Sequence, residues 1–324
     1  MKRREFIALL GSAVTVPIVG HAQQVGEELR RIGILWPAAS PPVPPRMESL
    51  REGLRQAGFI EGRNLVIEMR YAQRGPQQLA ELAAELVRLK VEVIHASGDL
   101  APRVAQQATA TIPIVVISDD VEGAGLIASL SRPGANTTGL TILSPELSAK
   151  RLELLSETVP GLSRVAALWD PTTGRTQPTM TEAAAKPLNI NVRVLEVRQR
   201  EDLLGAFEVA RKEQVQALNV FSSPLLAALH REIITLAEVF KLPAIYQWKE
   251  HVEAGGLLAY GPSLAGAWRQ TGGIVAKVLR GAKPSDLPVE LPTKLEVSVN
   301  TKTAKRLGLT ISPSLLVRAD EVID

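Results

Sequence analysis

The most constraining feature of this sequence is a strand pattern that occurs twice. Residues 163–171 (SRVAALWDP) form an apolar run that ends at an Asp-Pro pair, which a strand cannot continue, and residues 31–37 (RIGILWP) repeat the pattern. The two closing tryptophans, Trp36 and Trp169, are 133 residues apart. Two later strand pairs keep similar offsets: the prolines of IPIVVIS and LPAIYQW are 130 residues apart, and the last serines of KVEVIHAS and QVQALNVFS are 125 apart. A nearly constant offset over three strands indicates one unit built twice, and therefore two similar lobes.

Between these strands lie helical patterns of ten or more residues, such as 76–89 (PQQLAELAAELVRL). Alternating strands and helices predict a parallel, doubly wound α/β sheet in each half. Helices are also expected at 122–131 and, as one continuous element, at 224–240. Lobe 1 is predicted to span 31–143, with 262–285 returning to it, and lobe 2 to span 144–261, with 290–324 completing it. Several crossings between lobes would make a defined hinge rather than a loose tether.

The N-terminus has the pattern of an export signal. Residues 1–22 combine a basic start, an apolar stretch and a small-x-small cleavage site before Gln23. Its paired arginines, Arg3 and Arg4, resemble a twin-arginine signal. The alternative interpretation is an N-terminal membrane anchor or an amphipathic helix. The sequence has no cysteine, which excludes disulfides and a lipid anchor on an N-terminal cysteine. The prediction is a periplasmic protein that is not a lipoprotein.

Charge and residue types exclude several functions. The chain carries 37 basic and 34 acidic side chains, scattered along its length, so no nucleic-acid partner is expected. An export signal also stands where a transcriptional regulator would carry its DNA-binding head. With four histidines, no cysteine and no phosphate-binding or hydrolase motif, neither a metal site nor a catalytic nucleophile stands out. The sequence predicts no enzyme activity and no cofactor.

Candidate ligand contacts follow from the rule that open α/β sheets bind ligands outside the carboxyl ends of their strands. The strand ends offer hydroxyls, carboxylates and aromatic rings, a set suited to recognising a small polar solute. Each of these residues also has a plain structural interpretation as a helix cap, turn former or packing residue. The predicted ligand-binding residues are Trp36, Ser40, Ser97 and Asp120 in lobe 1 and Asp170, Ser222, Ser223 and Tyr246 in lobe 2.

Long segments of the chain match a known family. They include LREGLRQAGFIEGRNLVIEMRYA, GLIASLSRPGANTTGLTILSPELSAKRLELL and LPAIYQWKEHVEAGGLLAYGP, with further matches near both ends. The chain resembles the periplasmic substrate-binding proteins of ABC importers, in the branch labelled as putative tryptophan/tyrosine transport binding proteins. The resemblance implies two Rossmann-like lobes with parallel sheets, in the clamshell of the type I periplasmic-binding-protein fold, closing on a small molecule such as an amino acid or aromatic solute. It also implies a monomer that delivers this solute to a permease and ATPase complex in the inner membrane.

The chain departs from the family's pattern at three strand ends. Residues 119–121 read Asp-Asp-Val where the family has Gly-Asp-Pro, and 223–225 read Ser-Pro-Leu where it has Asp-Pro-Leu. Asp170 stands where the family often has asparagine. The polarity of the cleft is therefore altered on both sides, and the solute's identity stays open. Two other hypotheses also stay open: a ligand sensor that presents its closed form to a membrane receptor, and an exported α/β enzyme.

Overall fold

The computed structural model describes residues 29–38 and 44–324, and their strands form two sheets. The predicted export signal at 1–22 lies outside the described residues. The first sheet contains β1 (Arg30–Trp36), β2 (Leu65–Tyr71), β3 (Val93–Ser97), β4 (Ile114–Ser118) and β5 (Thr137–Thr141). All its neighbours are parallel, in the spatial order β2-β1-β3-β4-β5.

The second sheet has seven strands. They are β6 (Arg164–Trp169), β7 (Asn191–Glu196), β8 (Ala217–Val220), β9 (Ala244–Tyr246), β10 (Leu258–Pro262), β11 (Leu295–Asn300) and β12 (Glu321–Ile323). Their order is β12-β11-β10-β9-β8-β6-β7, and only the β10–β11 pair is antiparallel. Removing β11 and β12 leaves β7-β6-β8-β9-β10, the same order as the first sheet. The predicted repeat and the α/β fold with two parallel-dominated sheets are confirmed.

Helices cover both faces of each sheet, because the apolar central strands must be buried on both sides. Every residue of β3, β4 and β8 is buried. The helices are α1 (Pro44–Gln56), α2 (Leu79–Arg88), α3 (Leu100–Ala108), α4 (Ser144–Thr158), α5 (Thr176–Ala185), α6 (Asp202–Lys212), α7 (Pro224–Ala228), α8 (His230–Val239), α9 (Lys249–Glu253), α10 (Leu264–Leu279), α11 (Thr301–Arg306) and α12 (Pro313–Arg318).

Two helix predictions are wrong. Residues 122–131 form turns instead of a helix, because the segment contains Gly123 and Gly125, and Gly125 adopts the left-handed conformation at φ +65°. The helix expected at 224–240 is divided into α7 and α8 at Leu229, which ends the first and precedes the second. The division places α7 as a short separate element directly after β8.

The chain passes between the sheets three times. It leaves β5 for α4, which packs on β8, β9 and β10 of the second sheet. It returns from β10 to α10, which packs on β3, β4 and β5 of the first sheet. The segment after α10 then stays on the first sheet, where the Glu290 amide donates to the Gly139 carbonyl at 2.8 Å, before β11 joins the second. We define the first lobe as the first sheet with α1–α3 and α10, and the second lobe as the second sheet with the remaining helices.

Helices α1 and α10 pack backbone to backbone on the first lobe. A Cβ atom on Gly53 would lie 2.0 Å from the Arg269 carbonyl oxygen, and one on Gly272 would lie 2.4 Å from the Leu50 carbonyl oxygen. Only glycine allows this approach at either position. The close contact fixes α10 against the lobe and brings Trp268 over the ends of β1 and β3.

Candidate functional site

The carboxyl ends of β3 and β4 in the first lobe face the end of β8 in the second. Gly98 lies so close to α7 that a Cβ atom added to it would be 3.0 Å from Pro224 Cγ. Asp119, just after β4, lies against the hydroxyl group of Ser222 from the opposite lobe. The two lobes therefore touch at their strand ends, and a partly open cavity remains between them.

This cavity has a small inner part and a larger outer part. The inner part, about 50 Å³, is lined by Ser97, Asp119, Ser222 and other strand-end residues. The outer part, about 600 Å³, reaches α1 of the first lobe and α7, α8 and α9 of the second. Trp36, Trp248 and four other residues line both parts, so the two are continuous. The combined space is within the range of pockets that hold small organic ligands.

Three tryptophans form the apolar wall. Trp36 ends β1, Trp268 comes from α10, and Trp248 follows β9 in the second lobe. The rings of Trp36 and Trp268 are 5.9 Å apart between centroids, and His95 of β3 meets Trp268 edge-on at 5.3 Å. All three indoles are at least 94% buried. They provide a surface on which the apolar or aromatic body of a ligand would stack.

Several buried polar atoms around the cavity have no hydrogen-bond partner among the described residues. Buried polar groups are nearly always paired in native proteins, so a group of unpaired ones around a single cavity marks a place where a ligand would supply partners. These atoms are Ser97 Oγ, Trp36 Nε1, Arg46 Nε, Glu250 Oε2 and His251 Nδ1.

Asp119 and Arg151 are buried groups of opposite charge that interact electrostatically without a direct ion pair. Burial raises the pKa of Asp119, while the hydroxyls of Ser222 and Ser144 and the charge of Arg151 act against that shift. Ser144 donates to Asp119 at 2.7 Å. Burial lowers the pKa of the Arg151 guanidinium to about 10, and its Nε donates to the Tyr260 carbonyl at 2.8 Å. Arg151 is thus the internal counter-charge of Asp119.

A second acidic group lies behind the first. Burial raises the pKa of Asp99 to about 8, and the neighbouring carboxylate of Asp119 adds to the shift. The hydroxyl of Ser118 donates to the Asp99 carboxylate. A raised pKa keeps Asp99 partly protonated at neutral pH, so the acidic side of the cavity carries less negative charge than its residue types suggest.

The histidines near the cavity are neutral at pH 7. His230 and His251 stack with ring centroids 5.2 Å apart, and burial lowers the pKa of each. Burial also lowers the pKa of His95 to about 4. The described residues contain no group of His, Cys, Asp and Glu side chains that could hold a metal ion. Within the same residues, no helix is long and apolar enough to cross a bilayer.

Comparison with known proteins identifies the family. The profile described as ABC transporter substrate binding protein matches residues 31–323, nearly the whole chain. The chain belongs to this family. It is a solute-binding component of an ABC transporter and acts outside the cytoplasm. The expectation drawn from the sequence resemblance is confirmed at this level.

Individual proteins are also similar to the chain. The chain is 25% identical over 285 residues to a tyrosine-binding protein of Clostridioides difficile (strain R20291), covering 86% of this chain and 81% of that protein. A Streptococcus pneumonia ABC domain in complex with L-Trp superposes with a TM-score of 0.85 at 24% identity, covering 91% of this chain and all of that one. A ligand-free, open substrate binding protein from Clostridium difficile gives a TM-score of 0.67 at 23% identity, covering 91% and 99%.

Four of the eight sequence-predicted ligand residues line the cavity of this binding protein. Trp36 and Ser97 come from the first lobe, and Ser222 and Ser223 from the second. Ser223 is also the cap of α7, since its hydroxyl accepts from the Leu226 amide at 2.9 Å. Both interpretations considered for such residues, cap and cavity wall, therefore apply to Ser223 together.

Three predicted residues lie elsewhere, and Ser40 is outside the described residues. Asp120 turns away from the cavity and accepts from the Gly123 amide at 2.8 Å. Asp170 caps the turn after β6, accepting from the Thr172 amide at 2.9 Å. Tyr246 is buried in the second lobe, where it borders a separate cavity of about 210 Å³ beneath α8. Asp120 and Asp170 are thus hydrogen-bonded within their own lobes, and none of the three side chains lines the cavity between the lobes.

Several residues of the cavity wall were not among the predicted ligand contacts. Asp119 is adjacent to the predicted Asp120 at the same strand end, and its side chain borders the cavity whereas that of Asp120 does not. Four others come from helices, so the ends of the strands give no sign of them. They are Arg46 of α1, Glu250 and His251 of α9, and Trp268 of α10.

Proposed function

We propose that this chain is the periplasmic binding protein of an ABC importer and that it captures an amino acid with an aromatic or large apolar side chain between its two lobes. Residues 1–22 direct its export, and the mature monomer delivers the solute to the permease and ATPase in the inner membrane. Binding is its whole activity, with no bond made or broken. The lobe boundaries, 31–143 with 262–285 and 144–261 with 290–324, are part of this proposal.

The observation that carries the proposal is the set of unpartnered polar atoms around one tryptophan-lined cavity between the lobes. An indole wall suits an aromatic side chain, and the polar atoms suit the charged end of an amino acid. The named relatives give independent support, since one is called tyrosine-binding and another holds L-Trp.

The closed arrangement supports capture by lobe movement. The contacts of Gly98 with Pro224 and of Asp119 with Ser222 join the lobes at the cavity floor. The chain superposes better on the L-Trp complex than on the open, ligand-free relative, at equal coverage of this chain. This difference also supports a closed arrangement of the lobes. A solute that contacts both lobes favours the closed form by its difference in affinity for the two forms.

The test is a thermal-shift screen of the mature chain, residues 23–324, against the twenty L-amino acids, followed by calorimetry on those that bind. We expect L-tryptophan, L-tyrosine or L-phenylalanine to raise the melting temperature, because a ligand at 100 times its Kd adds about 2.7 kcal/mol of stability. If no amino acid changes the melting temperature, the proposed solute class is wrong.

The internal repeat supplies a matched control. Trp36→Phe removes an indole from the cavity wall and is expected to weaken amino-acid binding. Trp169→Phe removes the equivalent indole of the second lobe, whose Nε1 donates to the Gly174 carbonyl at 2.8 Å and which does not line the cavity. The second variant is expected to bind with unchanged affinity.

A further inference from the structure

Two oppositely charged side chains face each other across the outer part of the cavity. Arg46 lies in the first turn of α1 in the first lobe, and Glu250 lies in α9 of the second. Both line the same space. Each acts on the other's titration: the Arg46 charge lowers the pKa of Glu250, against the larger effect of burial, and Glu250 raises that of Arg46.

These two charges interact but do not form an ion pair. Arg46 Nε and Glu250 Oε2 are buried, and neither has a hydrogen-bond partner among the described residues. The guanidinium of Arg46 instead lies over the Trp36 ring, 5.8 Å from its centroid. Leaving a buried polar atom of a charged side chain without a partner is costly, so this arrangement is favourable when something between the two side chains pairs with both atoms.

Other charged groups around the cavity are poorly placed for this role. Asp119 already has Ser144, Ser222 and Arg151 around its carboxylate. His230 and His251 are neutral at pH 7. Arg231 and Glu253 border the outer part but are exposed to solvent at its rim. Glu253 pairs with Lys249 and raises the pKa of Glu250, so it does not serve as a partner for that carboxylate. Among the described residues, this leaves Arg46 and Glu250 as the facing charges of opposite sign.

We propose that Arg46 and Glu250 are the specificity-determining residues that recognise the solute as a zwitterion, with the α-carboxylate on Arg46 and the α-ammonium on Glu250. The proposal rests on the proposed function, because it assigns the charged end of the captured amino acid. The two residues belong to opposite lobes, so only a solute with both charges pairs both when the lobes close. An amine or an acid leaves one charge buried and unpaired in the closed form.

The experiment combines three proteins with three ligands of the same aromatic body. Wild type, Arg46→Gln and Glu250→Gln are titrated calorimetrically at pH 7.5 with L-tryptophan, tryptamine and indole-3-propionate. A second set uses L-tyrosine, tyramine and 3-(4-hydroxyphenyl)propionate. Wild type is expected to prefer the amino acid over either analogue by about 100-fold, the scale of losing one partner of a buried charge pair.

The variants are expected to lose these preferences selectively. Arg46→Gln loses the preference over the amine, which lacks a carboxylate, but keeps the preference over the acid. Glu250→Gln shows the reverse pattern. Arg211→Gln and Glu208→Gln, in an exposed ion pair on α6 that does not line the cavity, keep both preferences and serve as controls. Thermal unfolding without ligand establishes that each variant is folded.

The outcomes separate this inference from the function on which it rests. If wild type binds an aromatic amino acid but Arg46→Gln and Glu250→Gln keep both preferences, or lose both equally, the assignment is overturned while the proposed function stands. If wild type binds neither amino acid, the proposed solute class fails and the assignment fails with it.

Discussion

Arg151 is predicted to be the most sensitive charged position in the fold. It is fully buried, and replacing it with methionine leaves the carboxylate of Asp119 buried without its counter-charge and the Tyr260 carbonyl without its donor. Removing one partner of a buried charged pair costs about 3–5 kcal/mol. Lys150→Met is the control on the same helix, because Lys150 pairs with Glu153 and both side chains are 49% exposed. Pairs of that kind contribute at most about 0.5 kcal/mol.

The effect of Arg151→Met should depend on pH in a defined direction. Burial raises the pKa of Asp119 in the folded state above its unfolded value, and Arg151 opposes that rise. A raised pKa means that stability is present at low pH and is lost as pH increases through the folded value. Without Arg151 the pKa of Asp119 rises further, so the variant loses more stability at pH 8 than at pH 5, where the carboxyl is protonated more readily.

Urea denaturation tests this reasoning. It compares wild type with Arg151→Met, Lys150→Met and a double variant that combines Asp119→Asn with Arg151→Met. The double variant is expected to be more stable than the sum of its single changes allows, because it removes the unpaired charge. If Arg151→Met costs no more than Lys150→Met, or costs the same at pH 5 and pH 8, the counter-charge argument is refuted.

Three further outcomes are expected. Gly272→Ala should lose about 3 kcal/mol in thermal unfolding through overpacking against α1, whereas Gly273→Ala, with open space around its Cβ, should be neutral or gain up to about 1 kcal/mol. The pKa of His95 falls from 6.5 to about 4 on folding, so its neutral form stabilises the fold by about 3 kcal/mol above pH 6.5, and this contribution is lost as the pH falls to 4. When unfolding is measured from pH 7 to 4, His95→Gln should therefore lose about 3 kcal/mol less stability than wild type. Gly98→Ala should cost about 1 kcal/mol of stability, because φ at this position is +74°, and its Cβ should weaken solute binding by obstructing closure against Pro224. Adding Pro224→Ala should restore the affinity measured by calorimetry but not the stability.

The parts of the fold that could be predicted from the sequence are those determined locally. Apolar strand runs and their Asp-Pro or Ser ends are properties of short segments. They led to the two similar sheets and to the strand ends where Ser97 and Ser222 border the same cavity. The helix expected at 122–131 failed for an equally local reason, because its two glycines favour turns. Gly123 and Gly125 are therefore a sequence signal against a helix at this position.

The parts that could not be predicted depend on how the lobes meet. Tyr246 and Asp170 stand at strand ends, as expected, but whether such a side chain faces the opposite lobe is decided by the last backbone turn of the strand. Arg46 and Glu250 have no strand-end signal at all. They become neighbours because α1 and α9, more than 200 residues apart in sequence, face the same space once the lobes are together.

The interleaved path of the chain also has a consequence for biosynthesis. The first lobe receives α10 only after the five strands β6–β10 of the second have been made, and the second receives β11 and β12 last of all. Neither half can be completed early by a ribosome working from the N-terminus. A product that stops before residue 295 leaves the β10 edge without its partner strand, and an unpaired edge is a template for association between chains. Premature termination near the end of this sequence is therefore expected to yield aggregates rather than a folded, single-lobed fragment.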